Sequence, residues 1–182
     1  MTHVCVFAGS QQGNNPGYAR AAIELGQAIA EHDYSLVFGG GKVGLMGCVA
    51  QSALDAGAEV IGIIPRFLAH EEILLPGMSE TLLVEDLFQR KAKMIGLSDM
   101  FIALPGGIGT LDELIEVMTW HQLRQLSNPI GILDTAEYFT PWVAALRHSV
   151  EQGFLDQRHV DAILRAQNAT ELLSLLMDVR KN

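Results

Sequence analysis

The feature that most constrains this chain is a set of short runs that are apolar without a break. Val60-Ile61-Gly62-Ile63-Ile64, Met100-Phe101-Ile102-Ala103-Leu104 and Ile130-Gly131-Ile132-Leu133 show no alternation of apolar and polar residues. As strands they have no face to turn to water, so they belong in a parallel sheet covered by helices on both sides. Val4 to Phe7, Leu36 to Phe38 and Thr81 to Val84 are further β-rich runs. Helical patterns follow in turn: Gly17 to His32, Leu45 to Ala56 with Gly57 as its stop, Asp86 to Leu97, and Leu111 to Arg124. Six strands alternating with helices predict an α/β fold with a doubly wound parallel sheet, one domain over residues 1–182. The spacing predicts a loop over 66–80 with a short helix near Leu68 to Ile73, placed as a flap. It predicts helix over Tyr138 to Gly153 and Val160 to Val179.

Composition narrows the function. At 182 residues with 49% hydrophobic and 18% charged residues, the chain suits a globular domain with a substantial core. A net charge of −9 argues against nucleic acid or anionic membrane as partner, since both need a basic surface. No apolar stretch reaches bilayer length, and Met1-Thr2-His3 lacks the basic start of a secretory signal. Cys5 and Cys48 lie in apolar contexts, which predicts buried, reduced thiols and a cytoplasmic protein. The six histidines form no ligand-spaced cluster, so no metal is expected.

The chemistry concentrates after the fifth strand, in Leu104-Pro105-Gly106-Gly107-Ile108-Gly109-Thr110-Leu111-Asp112-Glu113. A strand, a glycine turn and a helix start make an anion site: glycines admit close approach, and the first turn offers free N–H groups and the positive end of the dipole. Thr110 reads as the N-cap, with Gly106, Gly107, Gly109 and Thr110 as the cradle and Glu113 beside it. The same spacing also reads as a capping box, with Glu113 bonding back to the Thr110 N–H. Two more glycine loops close strands one and two: Gly9-Ser10 to Gly13, and Gly39-Gly40-Gly41-Lys42-Val43-Gly44. The second satisfies GxGxxG but lacks an acidic residue placed for a dinucleotide ribose, since Glu59 begins the next strand at the wrong end of the sheet. Arg90 and Lys91 lie about one turn past strand four, and Lys93 reads as a solvated cation. All three loops and Arg90 fall at strand carboxyl ends, where sheets of this kind bind ligands.

Gly39-Gly40-Gly41-x-x-Gly44-Leu45-Met46-Gly47, Arg90-Lys91 and Pro105-Gly106-Gly107-x-Gly109-Thr110-x-x-Glu113, in this order, resemble the Lonely Guy family of cytokinin riboside 5′-monophosphate phosphoribohydrolases, many of which carry the label lysine decarboxylase. The resemblance runs from about residue 4 to 140 and leaves the tail from about Glu151 outside. It implies a Rossmann-like homodimer that hydrolyses the N-glycosidic bond of AMP or N6-modified AMP without a cofactor. It implies Arg90 and Glu113 as catalytic residues and Gly106 to Thr110 as the phosphate loop. Ser10, Gly41 and Lys91 join them here as candidate substrate contacts. The chain departs from the family at Gly9-Ser10-Gln11 and at Leu87-Phe88-Gln89, which bears on base selectivity. Chemically, cleavage passes through an oxocarbenium-like state that a carboxylate stabilises. Glu113 serves that role, or orients the ribose hydroxyls or a water. Arg90 holds phosphate or offsets charge on the leaving base. A decarboxylase using pyridoxal phosphate needs a Schiff-base lysine, and only Lys42, Lys91, Lys93 and Lys181 are present. The rival of another class is a non-catalytic nucleotide carrier or sensor. A dimer is also expected from the helix after Thr110, whose Leu111, Leu114, Ile115, Val117, Met118, Trp120 and Leu123 exceed what one sheet face can cover.

Overall fold

The computed structural model describes residues 1–69 and 73–181. The strands are β1 (Thr2–Phe7), β2 (Tyr34–Phe38), β3 (Val60–Pro65), β4 (Glu80–Val84), β5 (Met100–Ala103), β6 (Ile130–Leu133) and β7 (Ile163–Ala166). They form one seven-stranded sheet in the order β4-β3-β2-β1-β5-β6-β7, and every pairing is parallel. The helices are α1 (Pro16–Glu31), α2 (Gly44–Asp55), α3 (Leu87–Leu97), α4 (Ile108–Gln122), α5 (Thr140–Glu151), α6 (Gln157–Asp161) and α7 (Ala169–Arg180).

Alternate residues of each central strand feed two cores. Val4, Val6, Leu36, Phe38, Met100 and Ile102 pack beneath α1, α2 and α7. Cys5, Phe7, Val37, Ile63, Phe101 and Ile132 pack on the other face with α3 to α6. Both faces are covered, which is what the unbroken apolar runs require. The chain leaves β1 toward β2 on one side and returns to pair β5 on its other side. That reversal opens a crevice beyond the carboxyl ends of β1 and β5.

Several expectations need correcting. Among the described residues there are seven strands, not six: Ile163-Leu164-Arg165-Ala166, expected as helix, pairs with β6 at the edge, from Ile130↔Ile163 to Leu133↔Ala166. An arginine in a four-residue edge strand hides the pattern, and the helical region divides into α6, β7 and α7. Asp86 and Asn168 instead prove to be N-caps, each accepting the N–H three residues on, Gln89 and Glu171. Gly57 stands one residue beyond the C-cap Ala56, with φ +90°. Half of the short helix expected near Leu68 to Ile73 falls on residues 70–72, outside the described residues; before them Arg66–Leu68 forms a single 3-10 turn. Cys5 is buried, but Cys48 is only half-buried.

Candidate active site

A cavity of about 440 Å³ fills the crevice. Ser10 after β1, Gly39 and Gly41 after β2, Arg90 on α3, and Gly107, Gly109, Thr110 and Glu113 after β5 line it together. Eight separate residues flagged by motif or position thus meet across four chain segments. A larger groove of about 880 Å³ over α1 and α2 holds Gln12, Gln27, Cys48 and Asp55 but none of these, apart from the loop around Lys42 to Gly44. Chemistry, rather than volume, selects the smaller cavity.

The helix start differs from the expectation. α4 begins at Ile108, with Gly107 as N-cap and no side chain capping it. Thr110 is therefore the third helical residue, not the cap, and it is buried. Its hydroxyl packs on Gly106, where an added Cβ would stand 2.1 Å from Thr110 Oγ1. The N–H of Leu111 already bonds the Gly107 carbonyl at 3.1 Å. The N–H groups of Ile108, Gly109 and Thr110 precede the first intrahelical bond and, with no capping side chain, suit an anion. The capping-box geometry does not form, because Thr110 and Glu113 are both inside the helix.

Glu113 bonds elsewhere. Its Oε1 accepts from Arg90 Nη2 at 2.5 Å, with the two side chains only 9% and 18% exposed. Arg90 reaches it across Gly39, where a Cβ would lie 3.2 Å from Met46 Sδ and 3.6 Å from Arg90 Nη1. Among the described residues the buried Arg90 Nε has no hydrogen-bond partner. Burial pushes the Glu113 carboxyl above its ordinary range; the Arg90 charge and hydrogen bond pull it back without cancelling the effect.

Lys91 does not line the cavity. Its Nζ bonds Asp112 Oδ2 at 2.9 Å and sits 2.6 Å from Glu116 Oε2, an ion pair off the line of a hydrogen bond. Burial lowers the Lys91 pKa, but the two carboxylates outweigh it and the net shift is upward. Lys91 thereby ties α3 to α4 on the outside while Arg90 does so inside. Gly106 faces a side cavity of about 280 Å³ shared with Tyr18 and Tyr138. Sequence reasoning missed the apolar lining from Met46, Ile64, Leu68, Ile73 and Ile108. Only their place beside the glycine loops could have marked them. Lys93 is exposed, as expected.

A Rossmann-like α/β sheet with a helix start that no side chain caps among the described residues, and a buried Arg–Glu pair at its switch point, places a candidate small-ligand site where such sheets bind ligands. Residues 46–176 match the family model described as "Possible lysine decarboxylase". The cytokinin riboside 5′-monophosphate phosphoribohydrolase LOG1 of Arabidopsis thaliana is 43% identical over 175 residues, 96% of this chain and 82% of the relative. A probable cytokinin riboside 5′-monophosphate phosphoribohydrolase, LOGL3 of Oryza sativa subsp. japonica, is 44% identical over 94% of this chain and 82% of its own. The chain belongs to the Lonely Guy family, which that family model describes. The match extends through the tail, contrary to the expected limit near residue 140. Among solved structures, the molybdenum cofactor binding protein of the phototrophic bacterium Rippkaea orientalis aligns with a TM-score of 0.74 over 98% of this chain and 96% of that one. At 21% identity it shows a shared fold alone.

Proposed function

We propose that this chain hydrolyses the N-glycosidic bond of AMP or an N6-substituted AMP, such as a cytokinin riboside 5′-monophosphate, giving free base and ribose 5-phosphate. The observation that carries this reading is the buried Arg90–Glu113 pair in one cavity with the uncapped start of α4. A cavity of about 440 Å³ is of small-ligand size. The names of the relatives supply the substrate class.

The 5′-phosphate sits at the N–H groups of Ile108, Gly109 and Thr110, cradled by Gly107 to Thr110, while Gly106, expected in the cradle, supports it from the side cavity. Ser10 and Gly41 meet the ribose or base from the facing loops. The bond between C1′ and the base nitrogen breaks as positive charge builds on C1′. Glu113 stabilises that charge, and a water adds its hydroxyl to C1′ while its proton leaves for the departing base or bulk solvent. Arg90 keeps Glu113 oriented and offers its Nε, which has no partner among the described residues, to the phosphate or the base. Lys91 acts on this site only through α3 and α4. A lysine Schiff base finds little support, since no lysine is among the described residues lining this cavity.

The acting form is a cytoplasmic homodimer. On α4, Leu114 and Val117 are buried, but Ile108, Ile115 and Trp120 are exposed, as are Leu123 at its C-cap and Leu87 and Phe88 of α3. A second copy is the occupant that fits a surface of this kind.

The test is incubation of purified protein with AMP, N6-isopentenyl-AMP and adenosine, followed by chromatography for free base. Release from the monophosphates, with adenosine much poorer, is expected, because phosphate binding contributes to transition-state stabilisation at a distance. Equal rates for AMP and adenosine contradict the phosphate anchor. Tight AMP binding with no release from any nucleotide favours a carrier.

A further inference from the structure

The turn between β6 and α5 has a conformation its own residues disfavour. Ala136 and Glu137 have φ of 52° and 57°, two successive left-handed residues that both carry a Cβ. Such strain persists only where the surroundings impose it. Here they do. Asp134 is fully buried, and its Oδ1 accepts from the Phe139 N–H at 2.6 Å. Arg165 of β7 donates to Asp134 Oδ2 and, through Nη2, to Thr140 Oγ1 at 2.5 Å. The Phe139 ring is fully buried beneath the turn.

The turn presents Tyr138 to the glycine loop. The Tyr138 hydroxyl donates to the Gly106 carbonyl at 2.5 Å, and its ring meets Tyr18 edge-on at 5.7 Å. The preceding carbonyl, of Pro105, accepts from the Gly9 N–H at 3.1 Å. Two successive carbonyls of the loop are therefore held from outside. A trans peptide is planar, with its C=O and N–H pointing opposite ways. Fixing the Gly106 carbonyl on Tyr138 directs the Gly107 N–H away from Tyr138. Gly107 lines both the main cavity and the side cavity, whereas Gly106 and Tyr138 line the side cavity and not the main one.

We infer that Tyr138 is a positioning residue for the phosphate site, aiming the Gly107 N–H at the bound anion through its grip on the Gly106 carbonyl. This inference rests on the phosphate-loop reading above. It adds a residue outside the glycine motif, held in place by a strand from the chain's last quarter.

Tyr138→Phe removes one hydroxyl and keeps the ring packed on Tyr18 and Phe139. Ribose 5-phosphate binding is measured by calorimetry, melting by calorimetric scan, and base release from AMP and adenosine by chromatography. The expected result is a near wild-type melting temperature, with ribose 5-phosphate bound about tenfold more weakly, the scale of one hydrogen bond. kcat/KM for AMP falls at least as far, and the preference for AMP over adenosine narrows. A merely structural hydroxyl would lower the melting temperature and leave affinity and preference alone, which overturns the inference. Equal ribose 5-phosphate affinity in both proteins likewise overturns it while leaving the phosphate reading intact. A wild-type protein that binds neither ribose 5-phosphate nor AMP removes that reading and this inference together.

Discussion

Arg90 Nη2 donates to Glu113 Oε1 at 2.5 Å, joining α3 to α4 just beyond the end of β5. Both side chains are largely withdrawn from water. A pair so placed is costly to break on one side, because the remaining charge is stranded in a poor solvent. It also couples the electrostatics of the two groups, so the behaviour of one reports on the other.

The first consequence is a pH dependence. Burial raises the Glu113 pKa above the ordinary glutamate value, and Arg90 only partly reverses this. Between the ordinary and the raised value, the folded chain holds a proton that the unfolded chain has lost. Stability from this group is therefore fully present below the ordinary value and is lost as pH rises through the folded pKa. Activity runs the other way if the carboxylate is the working form. The pH profile of kcat/KM should show an acid limb above the ordinary glutamate range, absent in Glu113→Gln. A limb at the ordinary carboxylate value, or one that survives in Glu113→Gln, would assign it to another group.

Arg90→Lys tests the guanidinium. One of its nitrogens bonds Glu113 while the buried Nε has no partner among the described residues. An ammonium keeps the charge but cannot serve two directions with a planar fork. Turnover should fall on the order of 10²-fold, the scale of one lost electrostatic donor. Near-normal turnover in steady-state assays removes Arg90 from the site.

The glycine loop makes a contrast between neighbours. A Cβ on Gly106 would meet Thr110 Oγ1 at 2.1 Å and the Gly9 backbone nitrogen at 2.8 Å. Gly106→Ala should therefore destabilise by about 1–3 kcal/mol through overpacking. A Cβ on Gly107 or Gly109 meets nothing within 4 Å. Gly107→Ala and Gly109→Ala should melt at or slightly above wild type, since alanine also favours the helix start at 109. Base release should nonetheless drop, because the open space belongs to the phosphate. Full activity in both would argue against the cradle.

Much of this was legible in the sequence, and the failures have physical causes. Val60 to Ile64 and Met100 to Leu104 announce central parallel strands because nothing in them tolerates water. β7 is hidden because it is a half-exposed edge strand of four residues whose apolar run is broken by Arg165, which meets Asp134. Motif and position brought Ser10, Gly41, Arg90, Gly107, Gly109, Thr110 and Glu113 to one cavity. The role of Thr110 in the helix start was misread because Gly107 caps α4 without a side chain, an arrangement that leaves no mark in residue type. Tyr138 gave no signal, since its meaning lies in one hydroxyl reaching a carbonyl 32 residues away.

The dimer is open to a direct check. Static light scattering at micromolar concentration should give about twice the monomer mass of 19.8 kDa. Trp120→Glu, placing a charge on the exposed face of α4, should shift the protein toward monomer. Wild-type scattering at the monomer mass contradicts the dimer.

The central claim is that the charge of Glu113 faces the breaking glycosidic bond. Glu113→Gln keeps the size, the helix propensity and an acceptor for Arg90, and removes only the charge. The decisive measurement is single-turnover base release from AMP by wild type and Glu113→Gln, alongside AMP binding by calorimetry. The expected result is a folded variant that binds AMP nearly as wild type and releases base at least about a hundredfold more slowly, because the charge matters most in the transition state. A folded Glu113→Gln protein that cleaves at near wild-type rate would contradict the account at its centre.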